Sequence, residues 1–262
     1  MMLGDTKVII ITNANNGLGY FMGRALLNDG YKVALIDLSV KNIKKLKSKY
    51  SSQLLYYKCD VKKDNEINGT VKDILNKWGR VDVLVNNAAL AIFKTFEEKD
   101  INDTIKEFET NYFGYIRMIK AIIPQMKKQR KGVIHNVSSA VGITGFKGIY
   151  GYVSTKGGIE SLTKTLSMEL EPYNIQVSLM HPPLMNTKSA RPLGIPVKVM
   201  ENPEIVGNKL AKKIFSKKHI ISPDIKTTIF LRISYLFSYR IGRFLSNATD
   251  KEKRNRDENS HK

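Results

Sequence analysis

The sequence holds a single cysteine, Cys59, in 262 residues, so no intrachain disulfide can staple it and its stability must come from a packed core. Histidine is almost as scarce: His135, His181, His219 and His261 are scattered without a partner at metal-ligand spacing, and no metal site is expected. Long apolar runs are missing as well. The opening run from Val8 to Ile11 is too short for a signal segment or a membrane span. The stretch before it lacks a charged leader, a long apolar run and a small-residue cleavage site in that order, so a cytoplasmic protein is expected. Acidic residues are few, 24 Asp and Glu against 43 Lys and Arg, for a formal charge of +19. That excess raises nucleic acid as a partner, yet the lysines are spread, as in Lys41 to Lys49 and Lys127 to Lys131, without a zinc-finger, RNP or basic-zipper pattern. No nucleic-acid partner is expected.

What is present is the composition of a soluble globular chain, 42% hydrophobic and 26% charged, at a length suited to one large domain. Short runs rich in Val, Ile, Leu and Tyr alternate with helical stretches, the pattern of an α/β doubly wound parallel sheet with helices on both faces. The runs predict strands near Lys7 to Thr12, Lys32 to Asp37, Leu54 to Lys58, Val81 to Asn86, Gly132 to Ser138 and Ile175 to His181. Helices are predicted over roughly Gly17 to Asn28, Val40 to Tyr50, Asp64 to Trp78, Ile101 to Gln129 and Gly151 to Leu170. Such sheets bind ligands beyond the carboxyl ends of their strands, so functional residues should stand just after each strand.

After the first strand comes Thr12-Asn13-Ala14-Asn15-Asn16-Gly17-Leu18-Gly19, running straight into a helix. Small residues there let the backbone approach a pyrophosphate, and the helix start offers it unpaired N–H groups and a positive dipole end. Asp37 ends the second strand, near the spacing at which an acidic residue receives the adenosine ribose hydroxyls. Its charge would repel a 2′-phosphate, and Asn16, Leu38 and Ser39 supply no cation to hold one, so NAD is expected over NADP.

Tyr152 and Lys156, spaced i, i+4 at the start of a predicted helix, share one face. A phenol is a poor acid or base at neutral pH, and a neighbouring ammonium should lower its pKa. Ser139, just after the fifth strand, can donate to a substrate oxygen that gains charge. Asn111 lies in the long helix before that strand, where a buried amide must be bonded. Tyr150 is a competing phenol, but Ser154 rather than lysine stands four residues on.

These residues resemble the short-chain dehydrogenase/reductase family, whose turn is Thr-Gly-x-x-x-Gly-x-Gly; Asn13 replaces the first glycine, and asparagine tolerates left-handed backbone. The resemblance implies a single Rossmann-type sheet and an enzyme that interconverts an alcohol and a ketone or aldehyde. In the turn it implies cofactor contacts from Thr12, Asn13, Asn15, Gly17, Leu18 and Gly19. Cys59-Asp60-Val61 resembles the Asp-Val pair of the adenine pocket, and Asn86-Asn87-Ala88-Ala89 the Asn-Asn-Ala-Gly motif, which adds Asp60, Val61, Asn87 and Ala88. In His181-Pro182-Pro183-Leu184-Met185-Asn186-Thr187, similar to the Pro-Gly-x-x-x-Thr segment, Pro182 and Thr187 face the nicotinamide, and Pro183 replaces the glycine. Asn111, Ser139, Tyr152 and Lys156 match the tetrad in order. The implied roles are Tyr152 as proton donor or acceptor, Lys156 on the nicotinamide ribose, Ser139 orienting the carbonyl and Asn111 holding a relay water. A homodimer or homotetramer is implied as well. The alternative reading is a non-catalytic NAD(H)-binding sensor or scaffold at a membrane surface.

The resemblance covers about Lys7 to Thr187, within a domain read as residues 1–225. The loop from Leu184 to Met200 is rich in apolar side chains suited to a lipophilic substrate. Over 226–249, a wheel places Ile229, Phe230, Ile233, Phe237, Ile241 and Phe244 on one side, with Arg232, Tyr235, Tyr239 and Arg243 on another. That stretch fits the boundary of an anionic bilayer, here the inner membrane surface, or a helix packed on the protein's own core or on a second subunit. His219 to Ser222 is a possible last strand, and the charged residues 250–262 are expected to be disordered.

Overall fold

The computed structural model describes residues 6–260, with side chains as far as Lys251. Strands and helices alternate: β1 (Val8–Thr12), α1 (Gly17–Asn28), β2 (Lys32–Asp37), β3 (Leu54–Lys58), α2 (Asp64–Trp78), β4 (Val83–Asn86), α3 (Ile101–Phe108) and α4 (Gly114–Gln129). Then follow β5 (Gly132–Val137), a single turn α5 (Val141–Thr144), α6 (Tyr150–Leu170), β6 (Ile175–Met180), α7 (Pro203–Ala211), β7 (Ile220–Ile221), α8 (Ile225–Leu236) and α9 (Ser238–Ser260). The strands form one parallel sheet in the order β3-β2-β1-β4-β5-β6-β7. Strand order reverses between β1 and β4, and the crevice that opens there is where such sheets take ligands.

Alternation along each strand explains the two layers. On one face Ile10, Ala34, Leu84, Ile134 and Val177 meet Met118 and Ile122 of α4 and Ile159 of α6. On the other, Ile9, Ile11, Val33, Leu35 and Val85 meet Met22 and Leu26 of α1 and Val206 and Leu210 of α7. Both faces are covered, so β1 is buried at every position and reads as a continuous apolar run.

Four expectations are corrected. The helix over Val40 to Tyr50 shrinks to a 3₁₀ turn, Ile43–Leu46, which buries only those two end residues. Asn42, bonded to Asn15 and Asn16, pins the chain there, and the lysines that follow have no apolar stripe to bury. The long helix from Ile101 is broken by a π turn at Glu109–Phe113. The C-terminal wheel is split by the break at Phe237 into α8 and α9. Finally, α9 carries the charged stretch through Ser260 as helix where disorder was expected; residues 261 and 262 lie outside the described residues.

Candidate active site

The turn after β1 is built from its own polar groups. Asn13 adopts φ +52°, the left-handed geometry that an asparagine can hold in place of glycine, and Gly17 follows at +57°. Gly19 is required by contact: a Cβ there would stand 2.6 Å from Asn13 O and 2.8 Å from Asn87 Nδ2. Thr12 Oγ1 accepts from the backbone N–H groups of Asn87 (2.9 Å) and Ala88 (3.0 Å), and Asn87 Nδ2 donates to Thr12 O and Asn13 O at 3.1 Å. The loop after β4 is thereby stitched to the turn after β1. Asn16 caps α1 without a side-chain bond to its amides, which leaves the first-turn N–H groups without that partner, and Asn16, Gly17 and Leu18 line the cavity. A phosphate would fit there.

Asp37 sits at the end of β2 with Oδ2 accepting from Asn15 N (2.9 Å) and Oδ1 from Ser39 N (3.0 Å). Asn15 itself accepts from Asn42 N at 2.8 Å, which locks the turn from behind. Asp60 accepts from Lys62 N, and Val61 packs beneath Gly114. Asp37, Asp60 and Val61 stand at the carboxyl ends of β2 and β3, outboard of the cavity rather than in its wall.

That cavity, about 880 Å³, joins the turn to three of the four tetrad residues, Ser139, Tyr152 and Lys156. Pro182, Pro183 and Thr187 close one side, with the Thr187 methyl over Gly17. Phe230 and Leu231 of α8 and Leu245 and Thr249 of α9 form another part of the wall. Asn111 lies behind it, buried in the π turn. Its Oδ1 accepts from Leu90 N (2.7 Å), and its Nδ2 donates to Leu90 O (2.8 Å) and Thr155 Oγ1 (3.1 Å). The extra backbone residue of a π turn re-aims this side chain, as π bulges commonly do at functional sites.

The electrostatics differ from expectation. Burial, the largest influence, pushes Tyr152 up to about 12; a hydrogen bond with Ser139 works against it, and the carboxylate of Glu107 adds to it. Lys156 is pushed down to about 7 by burial, with Glu160 pulling it back up. The expected acidified phenol is therefore absent, because one dry pocket disfavours the charged form of both groups. The Lys156 ammonium lies 5.6 Å from the centre of the Tyr152 ring, but its protons go to Val137 O (2.8 Å) and Tyr115 Oη (3.2 Å).

The rival phenol, Tyr150, is occupied elsewhere, sharing a hydrogen bond with Thr104 at 2.8 Å beneath Phe96. Beside it, Lys99 and Glu107 form a fully buried ion pair at 2.9 Å that braces the start of α6.

Two contributors escaped the sequence reading. Tyr115, from α4, is bridged between Lys156 and Val137 O, a contact no local pattern announces. Glu160 lies one helical turn after Lys156, so the i, i+4 spacing that links Tyr152 to Lys156 continues to it. Its carboxylate accepts from Tyr235 Oη of α8 (2.5 Å), and His181 Nε2 stands 3.1 Å away in poor alignment for a hydrogen bond. His135 is buried, with Nε2 on Ile214 O at 2.7 Å, and plays no part in the cavity.

Comparison with known proteins follows the same outline. The 3-oxoacyl-[acyl-carrier-protein] reductase FabG of Staphylococcus epidermidis is 33% identical over 184 residues, covering 67% of this chain and 74% of that protein. The 3-ketodihydrosphingosine reductase of Bacteroides thetaiotaomicron is 30% identical over 181 residues, 69% of this chain but only 65% of that relative's length. A short-chain dehydrogenase structure from Streptomyces avermitilis superposes with a TM-score of 0.78 at 25% identity, over 97% of this chain and 98% of the other. The short chain dehydrogenase family model matches residues 7–195, from β1 into the loop after β6. A doubly wound parallel sheet and a family match over most of the length place this chain among the short-chain dehydrogenases, a family of NAD(P)-binding oxidoreductases.

Proposed function

We propose that this chain interconverts a lipophilic alcohol and its ketone or aldehyde, with NAD(H) preferred over NADP(H). One observation carries the reading: Tyr152, Ser139 and Lys156 share a cavity wall with the uncapped start of α1. Bound along that turn, the nicotinamide would supply or accept a hydride at the substrate carbon. The chain supplies the matching proton. Held protonated by burial, the Tyr152 hydroxyl suits donation to the substrate oxygen, so that hydride and proton together turn a carbonyl into an alcohol; oxidation reverses both transfers. Ser139 donates to the same oxygen, a role worth about 3 kcal/mol where charge develops in a dry site. Lys156 serves the nicotinamide ribose, while Asn111 steadies the Leu90 loop and holds a relay water.

Asp37 supports the cofactor preference, since a carboxylate fixed by two backbone N–H groups presents negative charge where a 2′-phosphate would sit. Leu184, Leu193, Ile195 and Val199 in the cavity wall support a lipophilic substrate. The reading includes a cytoplasmic homodimer or homotetramer paired through α4 and α6; Phe113 and Met168, exposed beside and on those helices, support it. Ser139, Tyr152 and Lys156 in one cavity wall favour turnover over a non-catalytic NAD(H)-binding sensor or scaffold. In Tyr152→Phe, turnover of ketones should fall about 10²–10⁴-fold, while NADH binding, followed by cofactor fluorescence, persists. Unchanged turnover would overturn the assignment.

A further inference from the structure

The two C-terminal helices are built inside out. A surface helix ordinarily turns its apolar stripe to the core and its polar side to water. In α8 the inward residues are Thr227, Leu231 and Ser234, and in α9 they are Gly242, Ser246 and Thr249, nearly all small or polar. The outward residues are large and apolar: Ile225 is 77% exposed, Leu236 76%, Tyr239 74% and Phe244 70%. Ile229 and Phe237 widen the patch. The packing is nonetheless specific. Tyr235 donates to Glu160, Lys147 N donates to Ser246 Oγ at 3.2 Å, and Gly242 presses on the carbonyl of Thr144.

The charges within this patch are cationic, and acids stand at its borders: Asp224 paired with Lys209, Asp250 paired with Lys147, and Glu201. From Ile225 to Thr249 the chain carries Lys226, Arg232, Arg240 and Arg243, all exposed, and no acidic residue. The neighbouring loop from Pro182 to Met200 adds exposed Lys188, Arg191 and Lys198, again without an acid. Val197 and Val199 in that loop are each 60% exposed. Pairing two copies of this face about a two-fold axis would set each cluster of cations against its twin. An anionic lipid surface accepts both the apolar side chains and the cations. No described helix is long and apolar enough to cross a membrane, so contact would be with one leaflet.

We infer that the outer faces of α8 and α9, with the loop from residue 184 to 200, dock this protein on an anionic bilayer with its cavity mouth at the lipid boundary. Phe230 and Val199 belong both to the exposed face and to the cavity wall, so the two surfaces are continuous. A lipophilic carbonyl would pass from leaflet to Tyr152 without crossing water, a consequence that rests on the reading of the function above.

The test is sedimentation of the full chain with vesicles of phosphatidylcholine alone or enriched in phosphatidylglycerol, at low and high salt. Binding should be about tenfold or more stronger to the anionic vesicles and should weaken with salt. Leu236→Asn with Phe244→Ser, and separately Arg240→Glu with Arg243→Glu, should each lower it by a similar factor. NADH fluorescence on the same samples reports a folded cofactor site. Failure to sediment with NADH binding intact overturns docking alone, whereas sedimentation without carbonyl turnover overturns only the proposed reaction. Equal binding to both vesicle types also overturns the inference, as does a surface variant that splits an oligomer in light scattering without changing lipid binding.

Discussion

Tyr152 and Lys156 reach the same small volume because they are one turn apart on α6, and burial then sets their protonation against the usual order. Glu160 is the third residue of that line. Its charge pulls Lys156 upward against burial, which favours the neutral amine. If turnover needs the ammonium, activity falls as pH rises through the Lys156 pKa. Removing the negative charge in Glu160→Gln lowers that pKa, so the alkaline limb of the kcat profile should move to lower pH by roughly one unit. A purely structural role for Glu160 would reduce activity evenly across the range and leave the limb in place. The shared face of Tyr152 and Lys156 follows from their i, i+4 spacing. Tyr115 was not legible in this way, since its contact with Lys156 joins α4 to α6 and depends on how those helices cross the sheet.

Elements act here through their irregularities. The π turn puts Asn111 on Leu90 and Thr155, and a regular helix over Ile101 to Gln129, which the apolar period predicts, would turn it elsewhere. Periodicity averages over many residues and cannot register one extra residue in a helix. The split between α8 and α9 escaped the wheel for the same reason. Gly242 is where α9 closes on α5: a Cβ would stand 2.0 Å from the Thr144 carbonyl oxygen, which belongs to backbone and cannot swing aside. Gly242→Leu should therefore lift α9, costing about 1–3 kcal/mol. Because Leu245 and Thr249 line the cavity, KM for a carbonyl substrate should rise more than kcat falls. Hydrogen exchange over 238–251 would report the lifting, and unchanged protection there would refute it.

At the scale of the whole molecule, the reversal of strand order between β1 and β4 gathers the turn, the β4 loop and the start of α6 at one edge. A ligand held only by this assembled edge stabilises the folded state by mass action. NADH at about a hundred times its Kd should add roughly 2.7 kcal/mol, read as a rise in Tm of about 5 °C or more. On the proposed preference, NADPH at the same concentration should shift Tm far less, since the Asp37 carboxylate would oppose an added phosphate. A larger shift with NADPH would reverse the cofactor preference.

Alternating apolar runs, a small-residue turn and two i, i+4 side chains are local properties, and the sequence by itself determined the parallel α/β sheet and which residues end its strands. Tertiary structure alone decided the rest. Long-range packing dries the pocket that raises Tyr152 and lowers Lys156, sets Tyr115 and Glu160 beside the amine, and turns the apolar sides of α8 and α9 outward. Those outcomes depend on which surfaces meet across the fold, and solvent exclusion and electrostatic fields act through space rather than along the chain.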